Sequence, residues 1–229
     1  MKKLALVALA WLLASVSLYA KDFEGKLELS IEAPSSSATA VMFIKSPLLK
    51  VVPKETVKME NEVEGYPVID FEKKKITLIS PKGKYYMDMP LSQFENPIAK
   101  QSVKPQKSGR GDTILGLQAE AWVLDEPSSQ VEVEVWATKE LRVGFNIFVS
   151  LQKTYPEYGL LLGRIGKALA DQGYFPLKAT VRDKKGKQRL AWSVLGLAEE
   201  LLADSEFAIP EGYGKMSDML KKTKKSGGR

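Results

Sequence analysis

Residues Gln118 to Glu140, QAEAWVLDEPSSQVEVEVWATKE, constrain the fold more than any other stretch. Apolar and polar or bulky residues alternate along two arms, and Pro-Ser-Ser separates them, which is the pattern of a β-hairpin. Ala119, Ala121 and Val123 are expected to share one face with Val131, Val133, Val135 and Ala137. Glu120, Trp122, Glu132, Glu134 and Trp136 then take the other. A sheet with one apolar and one mixed face is antiparallel and covered on one side. Matching the faces requires an odd number of loop residues, because a one-residue slip turns one arm over. Two registers qualify, and one of them sets Glu120 against Glu134. The expected register is the other, with Trp122 opposite Glu134, Glu120 opposite Trp136, and Glu126 to Gln130 as the loop.

Similar runs lie on both sides of the hairpin. Asp22 to Glu32, Ala38 to Lys45, Leu48 to Val52, Tyr66 to Glu72, Lys75 to Ser80, Lys84 to Met89, Asp112 to Gly116, Phe175 to Arg182 and Gln188 to Leu195 read as strands between turn residues. Lys54 to Glu64 is polar and reads as a loop or an exposed strand. Leu91 to Ser108, with Pro97 and Pro105, breaks the rhythm, and Ser92 with Glu95 suits a capping box on one helical turn. Phe145, Ile147, Phe148 and Leu151 suggest a short helix. A longer helix follows Thr154, with Glu157 completing a capping box and Pro156 in the first turn. Its apolar side is Tyr158, Leu161, Leu162, Ile165, Ala168 and Leu169, and Gly173 suits its C-terminal cap. The expected fold is α+β: a curved antiparallel β-sheet, a half-barrel-like meander, with one or two helices covering its apolar face.

The N-terminus carries a second strong signal. Lys2 and Lys3 precede an apolar run from Leu4 to Leu18 that closes on Leu18-Tyr19-Ala20. The run gives about 22 Å of helix, short of a bilayer core of about 30 Å. It reads as a secretory signal peptide cleaved after Ala20, with a membrane anchor as the alternative. Residues 21–216 are then expected to form a single α+β domain, and 217–229 a basic, disordered tail. The expected compartment is the periplasm or the medium.

Cysteine and histidine are both absent. Thiol nucleophiles, disulfides, imidazole bases and most transition-metal sites are thereby excluded. Gly-x-Ser-x-Gly, Ser-x-x-Lys, P-loop and dinucleotide signatures are also missing. The chain reads as non-enzymatic and without cofactors or metals. Glu132 and Glu134 share a strand face as paired carboxylates do, although solubilising charges look the same. Glu199, Glu200, Asp204 and Glu206 lack the spacing of a calcium loop. Arg110-Gly111-Asp112 spells an integrin-binding tripeptide, read here as a chance occurrence. The net charge of +6 falls to about +4 once Lys2 and Lys3 are removed. Its lysines cluster in turns, away from the aromatics, so nucleic acid is not an expected partner. The Lys221 to Lys225 tail is suited to peripheral contact with anionic membrane.

Tyr85, Met87 and Met89 fall on one strand face, and methionine-rich faces accept varied apolar ligands or fill cores. Lys84-Tyr85-Tyr86-Met87-Asp88-Met89, Gly109 to Gly116, Val135-Trp136-Ala137-Thr138, Gly173-Tyr174-Phe175-Pro176-Leu177 and Phe207 to Tyr213 stand in an order that resembles a bacterial periplasmic family, domain of unknown function 4412. That family is similar in build to the periplasmic lipoprotein carriers, whose open half-barrels take acyl chains beneath helices. The resemblance implies a lipid or acylated peptide as ligand. Tyr85, Met87, Met89, Ala121, Val133, Val135, Leu161, Leu162 and Ile165 would line the hollow. An envelope scaffold or protein-interaction module with a filled core is the alternative expectation.

Overall fold

The computed structural model describes residues 22–57, 65–93, 103–126, 131–143, 148 and 156–219. The expected signal segment, the Glu95 and Thr154 caps, the tip of the central hairpin, most of the Phe145 to Leu151 stretch and the end of the basic tail lie outside them. The strands are β1 (Glu24–Ala33), β2 (Ser36–Lys45), β3 (Leu48–Val57), β4 (Tyr66–Asp70), β5 (Lys75–Ser80), β6 (Tyr85–Pro90), β7 (Gln106–Ile114), β8 (Leu117–Glu126), β9 (Val131–Thr138), β10 (Phe175–Asp183), β11 (Gln188–Glu199) and β12 (Gly214–Lys215). Among the described residues α1 spans Pro156–Ala170, and residues 216–219 are also helical, so the start of the expected disordered tail is ordered.

These strands form one curved, unclosed sheet in the order β12-β6-β5-β4-β3-β2-β1-β11-β10-β9-β8-β7. It is two meanders, β1 to β6 and β7 to β11, joined where β1 pairs antiparallel with β11. Every pairing is antiparallel except that of β12 with β6.

Cross-strand register carries apolar residues in rows over one face, called the inner face below. One row runs Met89, Ile76, Ile69, Leu49, Ile44, Gly25 from β6 to β1. Another runs Ala38, Ile31, Trp192, Ala179, Val135, Trp122, Lys107 from β2 through β1 and β11 to β7. Directly opposed residues in an antiparallel pair share a face, so each row is a continuous strip of contact. α1 places Leu161, Leu162, Ile165 and Leu169 in the same buried cluster as Leu27, Val133, Val135 and Leu190.

α1 ends as Gly173 predicts. Gly173 adopts φ +76°, which glycine reaches without a Cβ clash. Its N–H donates to Ala170 O at 2.9 Å, and Tyr174 N–H donates to Leu169 O at 2.9 Å. Those two bonds make a Schellman motif, closed by the buried pair Leu169 and Tyr174.

The central hairpin forms, with a register that differs from the expected one. Glu120 pairs with Ala137, Ala121 with Trp136, Trp122 with Val135 and Val123 with Glu134. Trp122 and Leu124 therefore join Val133 and Val135 on the inner face, while Ala121 lies on the outer face opposite Trp136. Burying Trp122 and Leu124 removes far more apolar area from water than burying two alanines. β8 carries apolar residues on both faces, so its alternation alone does not choose between them.

A second, smaller cluster sits on the outer face. Val68 and Ile79 pack there with Leu202 and Phe207, flanked by Phe43, Leu48, Tyr66, Tyr86 and Tyr213. The chain after β11 crosses this face as a strap and ends in β12 beside β6. Ion pairs tie it down: Lys26–Glu200 at 2.6 Å, Lys45–Asp204 at 2.7 Å, Lys50–Glu206 at 3.1 Å and Lys215–Asp88 at 3.0 Å.

Candidate functional site

The inner face meets solvent beside β7. Strands β7 and β8 keep register at Lys107 and Trp122, then lose it before Gly111 and Glu120. The bulge at Ser108-Gly109-Arg110 sends neighbouring side chains to different faces, as bulges do. Lys107 extends over the inner face, its Nζ 5.2 Å from the Trp122 ring centre and 5.4 Å from that of Tyr174. Lys107 Nζ also lies 2.7 Å from Glu120 Oε2, which accepts the Tyr174 hydroxyl at 2.6 Å. Trp122 meets Tyr174 edge to face at 4.9 Å, and Lys139 Nζ lies 4.8 Å over the Tyr174 ring. The hydrogen bonds from Lys107 and Tyr174 hold the Glu120 carboxyl below the usual range, and Glu120 raises the Lys107 pKa in return.

Arg110 goes to the outer face instead. It pairs with Glu134 and lies 5.5 Å over Trp136, whose Nε1 donates to Glu134 Oε1 at 2.8 Å. Burial pushes the Glu134 carboxyl up, and the bonds from Arg110 and Trp136 more than offset this, leaving it below its ordinary value. Ala121 stands opposite Trp136 on this face. Arg110 is thus engaged at the sheet surface, which argues against presentation of Arg110-Gly111-Asp112 as a free recognition tripeptide.

Of the nine residues expected to line a ligand hollow, Val133, Val135, Leu161, Leu162 and Ile165 belong to one buried cluster, and Met89 packs against it. Ala121 does not, because the hairpin register turns it to the outer face. Met87 pairs with Leu78 and Tyr85 with Ser80. The Tyr85 ring lies over Gly83, where a side chain would collide with it. Both are half-buried in the first half of β6. Three of the four acidic residues weighed for calcium are used otherwise: Glu200, Asp204 and Glu206 each pair with a lysine of the sheet. Lys107, Glu120, Trp122 and Tyr174 were not expected as a group. Leu124, two residues beyond Trp122, is the signal that points to this face.

Comparison with known proteins bears on the fold. An uncharacterized conserved protein from Thermus thermophilus superposes with a TM-score of 0.51 at 12% identity, over 90% of this chain and 98% of that one. MucB in its complex with MucA from Pseudomonas aeruginosa gives a TM-score of 0.46 at 10% identity, over 86% of this chain and 59% of the other. A DUF1329 family protein from Desulfovibrio piger gives 0.32 at 7% identity, over 82% and 90%. The search of curated proteins finds no match. The family model for the domain of unknown function DUF4412 covers residues 23–213, with β1 to β11, α1 and the strap as far as Tyr213, and the chain belongs to that family.

Proposed function

We propose that the protein is an extracytoplasmic carrier without catalytic activity, holding an apolar chain between the inner face of the sheet and α1 as a cover. The observation that supports this reading is the row from Ala38 to Trp122. It crosses six strands without a charged residue. Its length is about 24 Å, at about 4.8 Å per strand spacing. One lipid chain spans half of a bilayer core, roughly 15 Å, so the row is long enough for an acyl chain. Among the described residues no helix is long and apolar enough to cross a membrane. The Lys2-Lys3 and Leu4 to Ala20 pattern supplies the export signal.

The test is native mass spectrometry of the full chain expressed with its own leader and purified from the periplasm. The expected result is a chain beginning at Lys21 with a lipid or acylated peptide of defined mass attached. A bare polypeptide mass, with no uptake of a fluorescent fatty acid afterwards, would overturn the carrier reading.

A second reading has its own support. Leu27, Ile44, Leu49, Val133, Val135, Leu162 and Ile165 have no exposed surface, as in the filled core of an envelope interaction module. The bare-mass outcome favours it.

A further inference from the structure

Trp122 is 4% exposed, and its Nε1 is buried without a hydrogen-bond partner. The indole on the opposite face of the same hairpin, Trp136, has one in Glu134. Buried donors in folded proteins are rarely left unmatched. The next side chains in the Trp122 row are Val135 and Ala179, which offer no acceptor. On the other side of Trp122 in the row stands Lys107, half exposed, with Lys139 nearby over Tyr174. Glu120 offsets one of these two cations, so the corner keeps a net positive charge.

An apolar row, an unmatched donor and a cationic rim follow one another in that order. We propose that this corner takes the head end of an anionic, ester-linked phospholipid. Trp122 Nε1 donates to an ester carbonyl, Lys107 and Lys139 face the phosphate, and an acyl chain runs along the row toward Ile31 and Ala38. The proposal rests on the carrier reading and names its ligand class. Trp192 Nε1 is also buried without a partner. It stands three strands deeper, about 14 Å away by strand spacing, out of reach of an ester anchored at Lys107. Trp192 lies along the acyl path and away from the ester, so it serves as the control for the ester preference alone.

Calorimetric titration with dihexanoyl phosphatidylglycerol and its dihexyl ether analogue, both below their micelle-forming concentrations, tests the assignment. The ether differs only in lacking carbonyl acceptors. The wild-type chain is expected to bind the ester about tenfold more tightly, about 1.4 kcal/mol. Trp122→Phe should abolish that preference, and Trp192→Phe should retain it. Equal affinity of the wild type for both lipids overturns the assignment and leaves the carrier reading standing, and so does a preference that survives Trp122→Phe. Failure to bind either lipid overturns the assignment, and the mass measurement then decides the carrier reading by itself. Should Trp122→Phe not fold, the wild-type comparison still decides, together with the indole ¹⁵N–¹H resonance of Trp122. That resonance must shift with the ester and not with the ether.

Discussion

Lys50 shows how a single side chain holds the outer face together. Its Nζ lies 4.7 Å over the Phe43 ring, 5.2 Å over that of Tyr66, and 3.1 Å from Glu206 Oε2. Only 13% of the side chain is exposed, so these contacts are poorly screened on the lysine side. The stem packs on apolar surface while the ammonium reaches its partners. Lys50→Ala removes both contributions and should lower stability by about 2 kcal/mol, whereas Lys50→Met keeps the packing and should cost about half as much. Urea denaturation of the two variants beside the wild type checks this, and a Lys50→Met midpoint equal to that of the wild type would show that the charge contributes nothing. From the sequence, Lys50 is one polar position in an alternating strand. Its place in β3 is readable, but its partners come from β2, β4 and the strap, and no local pattern specifies them. The same holds for Trp122. Its strand and its alternation are readable, and its face is not, since Ala121 and Trp122 are both acceptable inward residues until the register with Val135 is fixed.

Elements with strong local chemistry are readable. β5 (Lys75–Ser80) matches its expected bounds, and the β10–β11 hairpin turns where Asp183 and Gly186 predict, with Asp183 Oδ1 accepting from Lys185 N and Lys187 N. The part of β7 before Asp112 escapes a sequence reading because every residue from Gln106 to Gly111 is exposed and two of them are glycine, so no apolar period marks it. The strap escapes for another reason: it is neither helix nor strand for most of its length, and it is positioned by ion pairs. Those pairs make it sensitive to acid. The Lys45 hydrogen bond lowers the Asp204 pKa. At Asp88, burial acts upward, and Lys215 and Thr77 more than offset it, leaving the carboxyl lowered. A depressed carboxylate pKa contributes stability that is complete above the ordinary value near about 4 and is lost as pH falls through the folded-state value. The strap should therefore loosen below about pH 4 before the sheet unfolds. Gly214 N–H, which donates to Lys84 O at 3.1 Å, reports on it by hydrogen exchange. Protection at Gly214 that persists until global acid unfolding would refute the local release.

At the scale of the whole molecule, β1 decides whether there is one cooperative unit or two. Sequence rhythm suggests a meander, and each half is one. Nothing local announces that β1 leaves the N-terminal meander's edge to pair with β11, because the partners are more than a hundred residues apart and cross-strand matching at that separation has no short-range signature. Leu27 stands at this seam, between Met42 of β2 and Leu197 of β11, with no exposed surface. If the seam couples the halves, Leu27→Ala should destabilise both together by about 2–5 kcal/mol, the usual range for a buried leucine. The described tryptophans, Trp122, Trp136 and Trp192, all lie in the β7–β11 half, so their fluorescence follows that half alone. Amide exchange at Ile69 and Ile76 follows the other. In the wild type both probes should give one urea midpoint, and in Leu27→Ala both should fall by the same amount. A variant whose β4–β5 amides lose protection while the tryptophan transition stays in place would show that the halves fold independently. The row from Ala38 to Trp122 would then cross a joint between two bodies, and an acyl chain lying along it would act as the link that couples them.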